Sequence, residues 1–233
     1  MDLAREFLTT AISLARAAGM PDVWGTAALN YGVMLQKLGD LDQARQLFRE
    51  ALSLFADVKN SELQLYALFN MAQVERELGE YASGAELYES TASLAQRIGQ
   101  SDVEIGARAG EGLCLLALGR LEDARRPLAE AESRMAMRSE WFQGRELVEG
   151  LRVLVAAAEH RNGDAIEQFE IARALADPAD VYGAAWLTAA CAPALAEIDR
   201  GRARAAVERY ASRVESFGFA ALAARFRALE ARL

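Results

Sequence analysis

Proline and glycine are scarce: 4 and 17 of 233 residues, together about 9% against roughly 12% in average proteins. That shortage excludes collagen-like and low-complexity chains and turn-rich β-sandwiches. Cysteine is rarer still. Cys114 and Cys191 lie far apart in apolar stretches with no CxxC pair, which points to a reduced, cytoplasmic protein with two buried packing thiols. A single histidine, His160, removes His-cluster metal sites and paired-histidine chemistry. Its place near an expected helix end assigns it to the last carbonyls there. No phosphate-cradling glycine loop and no G-x-S-x-G elbow occurs, so no nucleotide, cofactor, metal or catalytic residue is expected, and the chain is not read as an enzyme. Met1-Asp2-Leu3-Ala4-Arg5-Glu6 is no basic n-region followed by an apolar run. No stretch of about 18 uncharged apolar residues exists either, so no membrane partner is expected.

What the chain does have is alanine and arginine. Forty-eight residues are Ala, the best helix former, and 24 of the 26 basic residues are Arg, a usage suggesting a GC-rich bacterial genome. The net charge of −8 repels phosphate backbones and argues against a nucleic-acid partner. Residues 201–233 carry seven Arg against three Glu, leaving −12 on the first 200. The basic end is read as a solvated helix face, with an acidic partner or neighbouring module as the alternative. The acidic remainder favours a neutral or basic partner.

Two kinds of punctuation repeat. Leu38-Gly39-Asp40, Leu78-Gly79-Glu80 and Leu118-Gly119-Arg120 recur, followed more loosely by Asn162-Gly163-Asp164 and Arg200-Gly201-Arg202; the glycines are spaced 40, 40, 44 and 38. Each predicts a helix stop with Gly in the left-handed position. Out of phase run Pro21-Asp22, Ser61-Glu62, Ser101-Asp102, Ser139-Glu140 and Ala179-Asp180, spaced 40, 40, 38 and 40 on the acid. These read as helix starts with a favourable charge at the N-terminus. Two interleaved breaks per roughly 40 residues predict two helices per repeat. Between them, apolar residues such as Leu41, Ala44, Leu47, Phe48, Ala51 and Leu54 trace one buried helical stripe.

At these residues the chain resembles the tetratricopeptide repeat. Tyr31, Gly32, Leu35, Gly39, Leu41, Ala44, Phe48 and Ala51 match its motif in the first full repeat. Leu68, Met71, Ala72, Gly79, Tyr81, Gly84, Tyr88 and Thr91 do so in the second, where Glu75 departs from an apolar position. The third gives Gly112, Leu115, Gly119, Leu121, Ala124, Leu128 and Ala131, with Arg108 and Glu111 departing. In the fourth, Ala165, Phe169 and Ala172 fit only if the turn after Gly163 is shortened; in the fifth, Ala206 and Tyr210 are recognisable and Pro193 is expected to kink or break the first helix near residue 191. The period is that of the longer-helix variety in kinesin light chains and large bacterial regulators.

The resemblance implies an all-α, right-handed superhelical solenoid of antiparallel helix pairs, about 12 helices in a single domain over 1–233. The expected pairs are 22–58, 62–99, 102–137, 140–176 and 180–216, with a half-repeat at 2–18 and a capping helix at 219–233. Ala4, Leu8 and Ala11 match the second helix of a repeat, so the chain reads as starting mid-repeat, cut from a longer array or completed by another subunit. Trp24, Trp141 and Trp186 fall near first-helix starts and are assigned to packing between repeats, or else to an exposed rim.

By the same resemblance, first helices line a groove that binds a peptide or protein segment. The positions it assigns are Thr26, Leu29, Asn30 and Val33, then Tyr66, Phe69, Asn70 and Gln73; the third repeat contributes Leu113 beside Ala109 and Gly110. Asn30 and Asn70 suit a peptide backbone, because an amide both donates and accepts; alternatively both bond to neighbouring helices or water. The Lys/Asn/Arg clamp that grips chaperone C-terminal carboxylates is absent, because the corresponding faces lack clustered Lys or Arg. The expected function is a non-catalytic interaction scaffold, with self-association as one form. The alternative is a ligand-sensing or autoinhibitory domain of a larger bacterial signalling or transcription regulator.

Overall fold

A computed structural model describes residues 2–136, 142, 144–176 and 180–233. Among these residues there are twelve helices and no strand: α1 (Asp2–Ala17), α2 (Pro21–Leu38), α3 (Leu41–Asp57), α4 (Ser61–Glu77), α5 (Tyr81–Ile98), α6 (Ser101–Ala117), α7 (Leu121–Met135), α8 (Arg145–Ala158), α9 (Asn162–Ala176), α10 (Val181–Ile198), α11 (Arg200–Ser216) and α12 (Ala220–Glu230). The expected starts at Ser139-Glu140 and Ala179, together with Trp141, lie outside the described residues. The helices gather into two compact units, Met1–Gln100 and Ser101–Leu233.

Helix ends are set by a backbone device that recurs every 20 residues through the first six helices. Gly19, Gly39, Lys59, Gly79, Gly99 and Gly119 all have positive φ. At Gly39 the N–H donates to the Gln36 carbonyl and the Asp40 N–H to the Leu35 carbonyl, both at 3.0 Å. This bond pair satisfies carbonyls that the helix leaves open. In the fourth repeat His160 takes the left-handed position, at φ 60°. Its N–H reaches Ala157 O at 3.0 Å and the Arg161 N–H reaches Ala156 O at 2.9 Å. Gly163, expected to close α8, instead lies in the first turn of α9, and Gly201 in the first turn of α11. Asn60, one residue before the expected Ser61, caps α4 by accepting from the Leu63 N–H at 3.1 Å; Asp180 caps α10 as expected, accepting from the Gly183 N–H at 2.9 Å.

With His160 in place of Gly163, one register runs through all five second helices. The buried residues are Ala44, Phe48, Ala51 and Phe55 on α3, then Gly84, Tyr88, Thr91 and Ala95 on α5. They continue as Ala124, Leu128, Ala131 and Met135 on α7, Ala165, Phe169, Ala172 and Ala176 on α9, and Ala203, Val207, Tyr210 and Val214 on α11. Every set has the spacing 4, 3, 4, which keeps the residues on one helix face. The fourth repeat therefore needs no shortened turn. In the fifth, Ala203 and Val207, rather than Ala206 and Tyr210, occupy the small and large positions, and Tyr210 stands where Ala51 does.

First and second helices approach closely where the first carries glycine. A Cβ on Gly32 would lie 2.5 Å from Phe48 Cε1, and one on Gly25 would lie 2.7 Å from Phe55 Cε1. In the second unit, glycines sit instead between first helices of successive repeats: a Cβ on Gly112 of α6 would collide with Leu151 of α8, and Gly150 of α8 faces the Trp186 ring of α10, so Trp186 packs between repeats. Trp24 is half-buried under the Arg16 guanidinium, 4.5 Å from the ring centroid. Pro193 does not break its helix. α10 continues to Ile198 with Pro193 exposed, and Pro127 is likewise carried inside α7. α10 is also long and apolar enough to cross a membrane by length and composition; in this fold it packs against α8, α9, α11 and α12.

Candidate functional site

The expected groove positions of the first unit lie on α2 and α4, first helices of successive repeats. The two are tied by Gln36, whose side-chain amide donates to Glu77 Oε1 at 2.9 Å and Gln73 Oε1 at 3.4 Å. Gln36 is buried, so satisfying both of its N–H groups matters more than it would in water. Sequence reasoning passed over Gln36 and Glu77, although each lies three or four residues from a chosen position, Val33 or Gln73, on the same helical face.

Around this polar layer the chosen residues differ in what they present. Asn30 is exposed, while Thr26, Val33, Tyr66, Phe69, Asn70 and Gln73 are half-buried. The Thr26 hydroxyl donates to Asp22 O at 2.8 Å, and Asn70 Nδ2 donates to Tyr66 O at 2.8 Å. Val33 and Tyr66 lean on the core formed by α2, α3 and α4. Phe69 meets Tyr88 of α5 edge-on, centroids 5.9 Å apart, a geometry that places the positive ring edge on the π face. Leu29, 8% exposed, is part of the core. Leu113 belongs to α6 in the other unit and is buried there. Thr26 and Asn30 also line an open cleft of about 300 Å³ between α1 and α2, whose other wall carries Phe7, Leu8 and Ala11.

The three departures from the repeat pattern carry charge, and each has a partner. Buried Glu75 pairs with Arg45 of α3 at 2.7 Å. In the second unit, buried Glu111 pairs with Arg126 of α7 at 2.8 Å and Arg108 with Glu130 at 3.0 Å. Glu104 meets Arg134 at 2.8 Å, and Arg152 of α8 reaches Glu132 of α7 at 2.7 Å. Burial raises the Glu104 pKa, against the pull of Arg134 and Arg108. These pairs join neighbouring helices, and their buried carboxylates are held by guanidinium forks rather than aimed into a cavity.

Little here suits bond-making chemistry. Burial pushes the Cys191 thiol far up, away from the thiolate a nucleophile needs. Cys114 is likewise buried, in no disulfide. His160 is exposed in the turn after α8. Among the described residues, no group of His, Cys, Asp and Glu is arranged to hold a metal ion.

Residues 25–97 match the tetratricopeptide repeat family. The fold is shared with a Rap protein solved in complex with competence and sporulation factor, at TM-score 0.62 and 12% identity over 98% of this chain and 70% of that one. It is shared equally with BtubC (BKLC) from P. vanneervenii, at TM-score 0.62 and 17% identity over 99% and 89%. Kinesin light chain-like repeats from Podosopora anserina follow, at TM-score 0.54 and 14% identity over 82% and 95%. No curated protein matches the chain. The fold is thus that of tetratricopeptide-like helical repeats, which generally serve as protein-interaction scaffolds and not as catalysts.

Proposed function

We propose that the chain is a non-catalytic scaffold that binds an extended peptide or protein segment on the α2–α4 face. The observation that carries this reading is the strip of side chains on that face. Exposed Asn30 and half-buried Asn70, Gln73 and Glu77 supply donors and acceptors beside Val33, Tyr66 and Phe69. Such a mixture can hold a backbone by its amides and seat one or two apolar side chains. The −12 charge of residues 1–200 favours neutral or basic segments. Two buried cysteines that form no disulfide support a reducing, cytoplasmic setting.

The test is selection of peptides from a display library against the chain, followed by titration into Asn30→Ala/Asn70→Ala. Loss of two net hydrogen bonds predicts about tenfold weaker binding with an unchanged melting temperature. Unchanged affinity, or a variant that fails to fold, sinks the groove and returns both amides to packing.

The fold shared with a Rap protein in complex with a factor favours a second reading, a ligand-sensing or autoinhibitory domain of a regulator. That reading predicts a ligand-dependent change in protease resistance of the second unit, which passive peptide capture on α2–α4 does not.

A further inference from the structure

Four side chains of α4 follow one another along the α2–α4 face: Tyr66, Asn70, Gln73 and Glu77, at the spacing 4, 3, 4. All four are half-buried. Three of them are partly bonded within the fold. Asn70 Nδ2 donates to Tyr66 O, while Gln73 Oε1 and Glu77 Oε1 both accept from the Gln36 amide. The atoms left over, Tyr66 Oη, Asn70 Oδ1, Gln73 Nε2 and Glu77 Oε2, have no hydrogen-bond partner among the described residues, yet none is shut off from solvent. Of the four side chains, only Glu77 carries a charge.

That charge stands against its local setting. Glu77 is the last residue of α4, where the helix dipole favours a cation and disfavours a carboxylate. Arg76 beside it obeys that preference, as does Lys37 at the register of Glu77 on α2. Glu75, two residues earlier, is answered by Arg45 at 2.7 Å. Glu77 forms no ion pair among the described residues. Its support is the buried, neutral amide of Gln36, which fixes one carboxylate oxygen at 2.9 Å and leaves the charge unanswered. A carboxylate held in place, open to solvent and contrary to the helix preference breaks a local rule without a compensating contact inside the fold.

We infer that Glu77 selects the ligand of this face by receiving a Lys or Arg side chain of the bound segment, with Gln36 as the residue that positions it. A guanidinium or ammonium at Oε2 makes a charge-assisted hydrogen bond and neutralises the unfavourable charge at the end of α4. Asn70 and Gln73 beside it are neutral, so discrimination between basic and neutral side chains rests on this one carboxylate. The inference rests on the peptide-binding reading and moves its preference for basic segments from the charge of the chain to one residue.

The probes are peptides selected on the chain from a random library, N-acetylated and C-amidated so that only side chains carry charge. They should share a Lys or Arg. Replacing that Arg by citrulline, or that Lys by acetyl-lysine, removes the charge and should weaken binding about tenfold. Glu77→Gln, which still accepts from Gln36, should weaken the basic peptide by the same factor, bind its neutral form as the unmodified chain does, and melt no lower. Gln36→Met should lose part of the same discrimination and leave the neutral form unaffected. Binding of a basic peptide that Asn30→Ala/Asn70→Ala weakens and Glu77→Gln leaves intact overturns this inference alone and spares the groove. Selected peptides that share no basic residue do the same. Peptides indifferent to both variants, or a library that yields no binder, overturn both readings together. A melting temperature that falls in Glu77→Gln assigns the carboxylate to the fold and also overturns the inference.

Discussion

Close approach of α2 to α3 depends on the absence of two methyl groups. Gly32→Ala adds helix propensity worth up to about 1 kcal/mol, yet its Cβ would meet the Phe48 ring at 2.5 Å. Overpacking typically costs about 1–3 kcal/mol, so the variant should be destabilised by roughly 1 kcal/mol in denaturant titration. Gly163→Ala reverses the sign. Nothing lies within 4 Å of its added methyl and its φ is not positive, so stability should rise by a few tenths to about 1 kcal/mol. Asp199 caps α11. The Arg202 backbone N–H, 3.0 Å from its carboxylate, and then the Arg202 side chain hold its pKa below the ordinary 3.8. A lowered carboxylate pKa stabilises the fold above the unfolded value, and that contribution vanishes as pH falls through the folded one. The melting-temperature deficit of Asp199→Ala should therefore be full at pH 7 and close progressively below about pH 3.8.

Between helices, charge replaces apolar packing at three places, and the compensation is pairwise. Glu75 stands where the first repeat has Leu35, and Arg45 of α3 answers it at 2.7 Å. Arg45→Ala leaves a buried carboxylate without that partner and should cost on the order of 2 kcal/mol. Glu75→Leu combined with Arg45→Met should recover most of it, because well-packed apolar residues often match a buried ion pair. Unfolding of the two variants side by side measures the difference; equal losses would show that the pair is not the cause. α10 yields a further prediction. Pro193 is exposed inside a continuous helix, where proline withholds one hydrogen bond and crowds the preceding turn. Pro193→Ala should stabilise the chain by about 1–3 kcal/mol.

Across the whole molecule, the same four-residue register buries one side chain of comparable role per repeat. Phe48, Tyr88 and Phe169 are all fully buried at the same position, so truncation of each to Ala should cost about 3–5 kcal/mol. Leu8, at that position on α1 but only half-buried, should cost far less. Much of this was legible in the residues themselves. Helix stops at Gly39, Gly79 and Gly119, the pairing of helices and the Ala44–Phe48–Ala51 stripe depend on backbone preference and on spacings within one or two turns. The fourth and fifth turns differ from expectation because Gly163 and Gly201 resemble stop signals, whereas the bond pair at His160 needs only a residue that tolerates the left-handed region, which histidine does. Of the groove, the sequence supplied residue types. It could not show that Asn70 donates to its own helix or that Leu29 and Leu113 are spent on packing.

By itself, then, the sequence determined the repeat, its 40-residue period and the helix faces, since these rest on interactions between residues a few positions apart. The tertiary structure alone decided which departures are compensated, because Arg45 and Glu75 are 30 residues apart and meet only when α3 and α4 pack. It likewise decided that Pro193 bends no helix to a stop, because packing of α10 against four neighbours outweighs one missing hydrogen bond. And it alone separated covered side chains such as Leu29 from exposed ones such as Asn30, since exposure depends on what stands beside a helix, which no local pattern encodes.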